Sequence, residues 1–391
     1  MLQNKVEIDA VHLMNDGLKF EYKERGIETS LAKDLYKPEE DIKVTEAQQF
    51  INCPYNHFLN YGLNLKEREY YQFDNLQKGN IEHDILERFF KSVNENKIDL
   101  KNVDQKKIDQ ILDTAAKEAF ECERAGDFIK TDSSKEFLKH QLTNIAKESV
   151  NALIKHLQRG KFEVSYLEER VSGGKADRVD RYEDGNDIYI KVIDYKTGSS
   201  VGFSFGELMY GKNMQVFVYL KDALQREIEN NPGKNVIPAG AFYFRARENY
   251  VGKSNGTGDT SGKQIEEQNI NNAFKMAGLL NKKAIKVFDE DNKPEETISL
   301  PSSKPEEAMF DTENYMKLLD YVDDKIDEIR GDIKHGYIKV EPYDGACKYC
   351  SYQGVCRKEM GNVEFKKAEN LKAQDVIKIL NGEEDDANSM D

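Results

Sequence analysis

The chain has 391 residues, of which 38% are hydrophobic and 10% aromatic; this supplies a core for one large globular domain or two ordinary ones and excludes a disordered chain. No stretch approaches the roughly 18 apolar residues of a membrane span, and no apolar export signal opens the chain, so we expect a cytoplasmic protein without a membrane partner. The net charge of −15 disfavours a nucleic-acid partner only weakly, because a basic groove can coexist with acidic groups around a metal.

The first 160 residues are predicted to be mainly helical. After a lead-in segment, residues 1–40, the sequence Thr45-Glu46-Ala47-Gln48 has the form of a capping box and predicts the start of a helix. Apolar residues then recur at helical spacing in three further stretches, residues 77–93, 105–124 and 134–158.

The pattern changes after Gly160, where short segments rich in Val, Ile and Tyr predict a meander of three strands. These strands cover residues 162–171, 174–182 and 187–195, with a turn at Asp184-Gly185-Asn186. A helix, a strand and a second long helix are predicted to follow at residues 205–228, 236–244 and 312–334. Together these elements predict an α/β protein.

A Gly-rich stretch at residues 251–263 is similar to a phosphate-binding loop only in part. The motif G-x-x-x-x-G-K-[ST] needs Gly at position 257 and Ser or Thr at position 264, where this chain has Thr257 and Gln264. We therefore expect a plain loop and no binding of ATP by this chain.

The most informative residues are three charged positions on neighbouring predicted strands. Asp194 and Lys196 are two residues apart and project from the same face, and Asp177 on the preceding strand can converge on them. Neighbouring carboxylates repel each other unless a hard cation such as Mg²⁺ binds both. Lys196 would then orient the attacking water and offset charge in the transition state. The alternative interpretation is an exposed strand face with solvated Asp and Lys.

Two further features accompany these residues. Gln215 and Tyr219 are four residues apart on one face of the predicted helix, where they can contact a DNA backbone, although Tyr219 suits a core aromatic equally well. His83 follows Gly79 and is placed in the first turn of a helix, where a lone histidine is usually structural.

The five cysteines are unevenly placed, which points to a metal centre. Three of them form the pattern Cys347-x₂-Cys350-x₅-Cys356, and Cys53, followed by proline, fits as a fourth ligand. Zinc ribbons usually contribute two local pairs, whereas one plus three thiolates suits a [4Fe–4S] cluster, with zinc as the alternative. Such a clasp would be structural, because it closes a long loop. Cys122 is expected to be an ordinary small apolar residue.

The order of these motifs resembles that of RecB-like nucleases of the PD-(D/E)XK superfamily: His83, then Gly174-x-x-Asp177, then Asp194-Tyr195-Lys196, then the Gln215/Tyr219 pair. Two flanking segments and the cysteine cluster look like the B subunit of AddAB-type helicase–nucleases; the segments are Asn52-Cys53-Pro54-Tyr55-Asn56-His57-Phe58 and Tyr61-Gly62-Leu63-Asn64-Leu65-Lys66-Glu67-Arg68. The resemblance covers about residues 30–360. It implies a nuclease core with a mixed β-sheet flanked by helices, a largely helical N-terminal part and an iron–sulfur clasp.

The resemblance also implies roles for individual residues. It implies a Mg²⁺ site whose ligands are His83, Asp177, Asp194 and the backbone carbonyl of Tyr195. Lys196 would be catalytic, and Gln215 and Tyr219 would bind substrate. Asp180 lies next to the motif and is treated as secondary. Ala176 stands where the superfamily's name has proline, a departure that leaves the metal ligands unchanged.

From the resemblance we expect a Mg²⁺-dependent DNA exonuclease domain that processes double-strand break ends for recombinational repair. It would act on single-stranded DNA in a heterodimer with a helicase–nuclease partner subunit, and the chain resembles the C-terminal piece of the family's longer B subunit. Residues 41–365 are expected to form the iron–sulfur-stapled nuclease domain and residues 366–391 an acidic tail. The alternatives are a catalytically silent DNA- or partner-binding module and a free-standing Cas4-like nuclease.

Overall fold

The computed structural model describes residues 26–36, 42–66, 75–122, 134–171, 174–197, 202–246, 272–301, 303–356, 358 and 363–383. The chain forms two compact units. The sheet unit comprises Tyr70–Met209, Asn213–Asp323 and Asn370–Asp391, and the cysteine unit comprises Met1–Glu69, Tyr210–Lys212 and Asp324–Glu369. Within the described ranges, no helix is long and apolar enough to cross a membrane.

A mixed sheet organises the sheet unit. Its strands in the described residues lie side by side in chain order: β1 (Glu163–Val171), β2 (Gly174–Asp184), β3 (Asp187–Lys196), β4 (Asn235–Arg245) and β5 (Ala277–Leu280). Neighbours are antiparallel except β3 and β4, which are parallel. The predicted three-strand meander is confirmed, and Gly185, with φ of +59°, allows the tight turn between β2 and β3.

The longer helices of the described chain are α1 (Thr29–Tyr36), α2 (Val44–Asn52), α3 (Asn75–Glu95), α4 (Gln105–Glu121), α5 (Ser134–Arg159), α6 (Phe205–Tyr210), α7 (Gln215–Asn230), α8 (Thr312–Lys334) and α9 (Ala373–Leu380). Short helical turns lie at Pro54–His57, Phe58–Gly62, Lys282–Ala284, Ile285–Phe288, Pro294–Glu296, Pro305–Ala308, Ala346–Tyr349 and Gln353–Cys356. The helices predicted at residues 77–93, 105–124, 134–158 and 312–334 are confirmed as α3, α4, α5 and α8.

The parallel pairing of β3 with β4 requires a crossover connection, which contains α6 and α7. The prediction of a single helix over residues 205–228 is wrong, because the backbone breaks between the two helices. Gly211 and Asn213 adopt positive φ values of +104° and +56°, through which a right-handed helix cannot continue. A new helix therefore begins at Gln215.

Helices α3, α4 and α5 pack their apolar faces against one face of the sheet. Phe89, Leu112 and Leu153, one from each helix, belong to the same buried core as Ile193 of β3. Because side chains alternate along a strand, Asp194 faces the opposite side, where α7 packs on β3 and β4. The sheet therefore presents Asp194 to the start of the crossover helix.

One other predicted feature is contradicted by the structure. The capping box predicted at Thr45 does not form, because α2 already begins at Val44, whose buried side chain belongs to the apolar face of the helix. The predicted acidic tail contains α9, in which Ala373 and Val376 are buried. The loop predicted at residues 251–263 lies outside the described residues.

Candidate active site

Three carboxylates lie side by side across the first three strands. Extending the two hairpin registers by one position places Asp177 of β2 level with Glu168 of β1 on one side and with Asp194 of β3, next to the pair Arg178–Ile193, on the other. Directly opposed residues have Cβ atoms roughly 5 Å apart, so their negative charges repel one another. The structure thus brings Asp177 and Asp194 together and adds a third acid to them.

Asp177 is held by β3 and by α3. Its Oδ2 accepts a hydrogen bond of 2.7 Å from the backbone N–H of Tyr195 and lies 3.5 Å from Nδ1 of His83. Burial favours the neutral imidazole, but the nearby carboxylate of Asp177 outweighs burial and raises the pKa of His83. The charges of Asp194 and Glu168 act in the same direction.

His83 lies in the middle of α3, and the prediction that it occupies the first turn of a helix is wrong. The helix begins at Asn75 and continues through Gly79. Gly79 provides space rather than a helix boundary, because a Cβ at this position would lie 2.6 Å from Oγ1 of Thr197, just after β3. This close approach brings His83, one turn further along α3, to Asp177.

Glu168 was not among the predicted site residues. One nitrogen of His83 and one carboxylate oxygen each of Glu168 and Asp177 all lie within 4.8 Å of one another. Burial raises the pKa of Glu168, and the charge of Asp177 adds to the effect, although an ion pair with Lys175 opposes it. Glu168 could have been found from the register of the first predicted hairpin, because pairing its two strands places position 168 opposite position 177.

Asp194 is the most deeply buried carboxylate of the three, with 2% of its surface exposed. Burial, and after it the charge of Asp177, raises the pKa of Asp194 to about 6. Lys196 opposes this shift, because its Nζ lies 2.6 Å from Oδ2 of Asp194. The two side chains therefore meet on the same face of β3, as their two-residue spacing predicted.

A chain of hydrogen bonds connects Lys196 to α7. Nζ of Lys196 donates to Oε1 of Gln215 at 2.8 Å, and Nε2 of Gln215 donates to the hydroxyl of Tyr219 at 3.0 Å, so the two helix residues share one face as predicted. The ring of Tyr219 is buried in the manner of a core aromatic, and its hydroxyl also accepts a hydrogen bond of 3.4 Å from the backbone N–H of Lys175. Gly174 makes room for this hydroxyl, with which any Cβ there would collide.

Asp180 belongs to a separate ion cluster on the other face of the sheet. Arg178 donates to both of its carboxylate oxygens, from Nε at 2.6 Å and Nη2 at 2.9 Å, and Nζ of Lys191 lies 2.8 Å from Oδ2. All three side chains are at most 3% exposed, so each charge depends on the others for compensation. The sequence left the role of Asp180 open. In the structure Asp180 is separate from the three neighbouring carboxylates of Glu168, Asp177 and Asp194.

The cysteine unit gathers the four cysteines that were predicted as one ligand set. Burial raises the pKa of the Cys53 thiol, and the neighbouring thiols of Cys347 and Cys350 add to the shift. Burial raises the pKa of the Tyr55 phenol, and the charges of the Cys356 and Cys53 thiols add to the shift. Four thiols are a soft donor set that suits zinc or an iron–sulfur cluster.

Cys122 does not belong to this set. It follows the last residue of α4 in the sheet unit, where its thiol lies 3.1 Å from the backbone oxygen of Ala119. It also packs against the apolar core formed by α3, α4 and α5, as expected for a small apolar residue.

Comparison with known proteins gives one family and one kind of relative. The model of the PD-(D/E)XK nuclease superfamily matches residues 42–357. The B subunit of the ATP-dependent helicase/deoxyribonuclease from Alkaliphilus oremlandii (strain OhILAs) is 30% identical over 95% of this chain and 35% of its own length. The proteins of the same name from Alkaliphilus metalliredigens (strain QYMF) and Lachnoclostridium phytofermentans are 30% and 27% identical, over 96% and 98% of this chain and 35% of their own lengths.

This chain therefore spans about a third of the length of the curated relatives that it matches. The relatives confirm the predicted resemblance to the B subunit of helicase–nucleases. The mixed sheet with flanking helices confirms the predicted α/β fold class. With four fifths of its residues inside the family match, the chain belongs to the PD-(D/E)XK nuclease superfamily.

Proposed function

We propose that this chain is a Mg²⁺-dependent deoxyribonuclease, the exonuclease domain of a helicase–nuclease that processes double-strand break ends for recombinational repair. The observation that carries the proposal is the meeting of His83, Glu168 and Asp177 beside the Asp194–Lys196 pair. Membership of the nuclease superfamily supports the same chemistry.

The donor set fits a hard divalent cation, because it consists mainly of carboxylate oxygens whose mutual repulsion a cation relieves. The proposed ligands are His83, Glu168, Asp177, Asp194 and the backbone carbonyl of Tyr195. Mg²⁺ bound there would polarise the scissile phosphate and lower the pKa of the attacking water.

Lys196 is the proposed catalytic cation of the chain itself. Its ammonium is fixed between Asp194 and Gln215, so it is a preorganised donor rather than a mobile surface charge. It would orient the water and offset the negative charge that develops on the phosphate. We propose that Gln215 and Tyr219 hold Lys196 in place from α7 and also bind the DNA backbone.

The wider role follows from the relatives, which are named as B subunits of an ATP-dependent helicase/deoxyribonuclease. We propose that this chain works in a heterodimer with a partner subunit that delivers single-stranded DNA. ATP would be used elsewhere in the assembly, since this chain has no phosphate-loop motif. DNA as substrate would place the protein in the cytoplasm.

The proposal also assigns a structural [4Fe–4S] cluster to the four thiols of Cys53, Cys347, Cys350 and Cys356. Such a group would join two segments that are far apart in sequence and so stabilise the proposed nuclease domain, residues 41–365.

The experiment that tests the activity compares cleavage of labelled single-stranded DNA in Mg²⁺ by the parent and its variants. We expect Asp177→Asn to lose a metal ligand and Lys196→Met to lose transition-state stabilisation, each lowering the rate on the order of 10²- to 10³-fold. Asp187→Asn is the matched control, because Asp187 lies at the start of the same strand and pairs with Lys283. Cleavage at the parent rate by both site variants would show that the observed activity comes from a contaminant or from elsewhere, and would support the catalytically silent binding module.

The same assay, run over a series of Mg²⁺ concentrations, tests Glu168. Glu168→Gln keeps the size of the side chain and removes its charge, so we expect the Mg²⁺ concentration for half-maximal rate to rise on the order of tenfold. Glu163→Gln, at the exposed start of β1, is the control. An unchanged Mg²⁺ dependence would remove Glu168 from the proposed ligands and leave the aspartates.

A further inference from the structure

A chain of side-chain hydrogen bonds in the cysteine unit ends on a thiol. Nδ2 of Asn60 donates to Oε1 of Gln49 at 3.3 Å, and Nε2 of Gln49 donates to Oδ1 of Asn56 at 2.5 Å. Nδ2 of Asn56 then donates to Sγ of Cys350 at 3.2 Å. We name these three amides, Asn60, Gln49 and Asn56, the amide relay. The hydroxyl of Tyr352 donates to the backbone carbonyl of Leu65 at 2.9 Å and lies 3.4 Å from Oδ1 of Asn60.

Each amide of the relay turns one end towards the next member. A side-chain amide has one accepting oxygen and one donating nitrogen. In the structure the oxygen of Asn56 accepts from Gln49, the oxygen of Gln49 accepts from Asn60, and the nitrogen of Asn56 faces Cys350. A donor aimed at sulfur favours a charged or metal-bound thiolate over a neutral thiol. The amide relay is therefore oriented for a ligand sulfur.

The relay also connects two segments that are distant in sequence. Gln49 lies in α2, and Asn56 and Asn60 lie in the helical turns that follow Cys53, whereas Cys350 is 294 positions beyond Asn56. Its members are half-buried, where a hydrogen bond to a charged sulfur is stronger than in open water. The backbone of residues 55 and 56 lowers the pKa of the Cys53 thiol, against the larger opposing effect of burial.

We propose that Asn56 is a positioning residue for the ligand sulfur of Cys350, and that the amide relay slows loss of the metal group bound by the four cysteines. The inference rests on the proposed binding of a metal or cluster by those cysteines. Partners that hydrogen-bond metal ligands set the orientation and electronic properties of those ligands, and hydrogen bonds to the sulfurs tune iron–sulfur clusters. A role limited to joining the two segments would lower stability without altering the bound group.

The test uses the anaerobically purified full chain without DNA and follows visible absorption and the release of iron to a chelator. Asn56→Asp keeps the side-chain size but replaces the donor by an anion, and Gln49→Glu leaves the oxygen of Asn56 without its donor. We expect both variants to shift the sulfur-to-iron absorption bands and to release iron faster. For Asn56→Asp the increase should be roughly tenfold or more, as for loss of a hydrogen bond to a charged acceptor. Gln48→Glu is the matched control, because it adds the same charge to α2 outside the relay.

Asn56→Leu separates loss of the donor from the added charge and should lie between the parent and Asn56→Asp. Iron release at the parent rate with an unchanged spectrum in both Asn56 variants would overturn the proposal, whatever their melting temperatures. A parent that carries zinc would contradict the proposed cluster but not the relay, which the same variants then test through zinc release. A parent that binds neither metal would contradict both.

Discussion

At the scale of single residues, the two faces of the sheet treat buried charge differently. On one face, Glu168, Asp177 and Asp194 bring like charges together, which suits the binding of a cation. On the other face, the charges of Arg178, Asp180 and Lys191 compensate one another within the protein. His156 of α5 lies close to this ion cluster. Burial, and after it the positive charges of Lys191 and Arg178, lowers the pKa of His156 to about 3.

This low pKa links His156 to acid stability. An unfolded chain protonates histidine near pH 6.5, whereas the folded protein keeps His156 neutral until about pH 3. Between these values the unfolded state binds more protons, so His156 makes the free energy of unfolding fall as pH drops, by up to about 1.4 kcal/mol per pH unit. Above this window it adds no slope. We expect His156→Leu to flatten this part of the profile, measured by urea denaturation.

The control for this prediction lies on the same helix. His140 is exposed, so His140→Leu should leave the pH dependence of the parent in place. If His156→Leu loses stability between neutral and acid pH as steeply as the parent does, the buried neutral imidazole is not the source of that slope.

Among the proposed site residues, those that lie a few positions apart on one helix or strand could be predicted from the sequence to share a face. Asp194 and Lys196 are two positions apart on a strand, and Gln215 and Tyr219 are four apart on a helix, so each pair shares a face without any tertiary information. Glu168 was missed because its position depends on the register between two strands, which neither strand specifies alone.

At the scale of elements, long periodic segments were predictable and short or interrupted ones were not. Helices α3, α4, α5 and α8 each cover several turns, so their apolar periodicity is unambiguous. Strand β5 has only four residues, too few to show a period, and was not predicted. The break between α6 and α7 depends on backbone angles at Gly211 and Asn213 that residue type alone does not determine.

The contact between α3 and the end of β3 sets the distance from His83 to Asp177. In a helix interior, Gly79→Ala would ordinarily stabilise the protein by about 0.5–1 kcal/mol. Here the new Cβ would lie 2.6 Å from Oγ1 of Thr197, so α3 or Thr197 must move. We expect Gly79→Ala to show none of that stabilisation in urea denaturation and to need several-fold more Mg²⁺ for half-maximal cleavage.

A double variant serves as the control for this contact. Gly79→Ala combined with Thr197→Ala removes the clashing hydroxyl, so stability and Mg²⁺ dependence should both recover. A single Gly79→Ala variant that is more stable than the parent and keeps its Mg²⁺ dependence would show that the close approach does not position His83.

At the scale of the whole molecule, residues from distant parts of the chain share one unit. The cysteine unit combines Met1–Glu69 with Asp324–Glu369, and most residues between them belong to the sheet unit. The α/β class was predictable because strands and helices leave local patterns. The division into two units was not, because it follows from tertiary contacts. The boundaries proposed at residues 40 and 365 came from motif positions and remain predictions.

Removing one proposed ligand of the cysteine set is expected to affect the whole molecule. Cys53→Ser should lower both metal content and melting temperature, because binding free energy at such a site contributes to folding and closes a long loop. Cys122→Ser is the matched control, since Cys122 lies at the end of α4 in the sheet unit. Thermal unfolding is followed by circular dichroism alongside iron and zinc analysis. Equal melting temperatures and metal content in the parent and Cys53→Ser would contradict this role.

Ribosomes release Asn56 and Cys350 far apart in time, because 294 positions separate them. At elongation rates of roughly 5–20 residues per second, the interval is roughly 15–60 s. The hairpins of β1, β2 and β3 need no such wait, since their residues emerge almost together. Until the later cysteines appear, the Cys53 thiol of the nascent chain has no partner sulfurs and is open to oxidation. Loading of the proposed metal group would therefore be a late step of maturation, which begins only after the sheet has been synthesised.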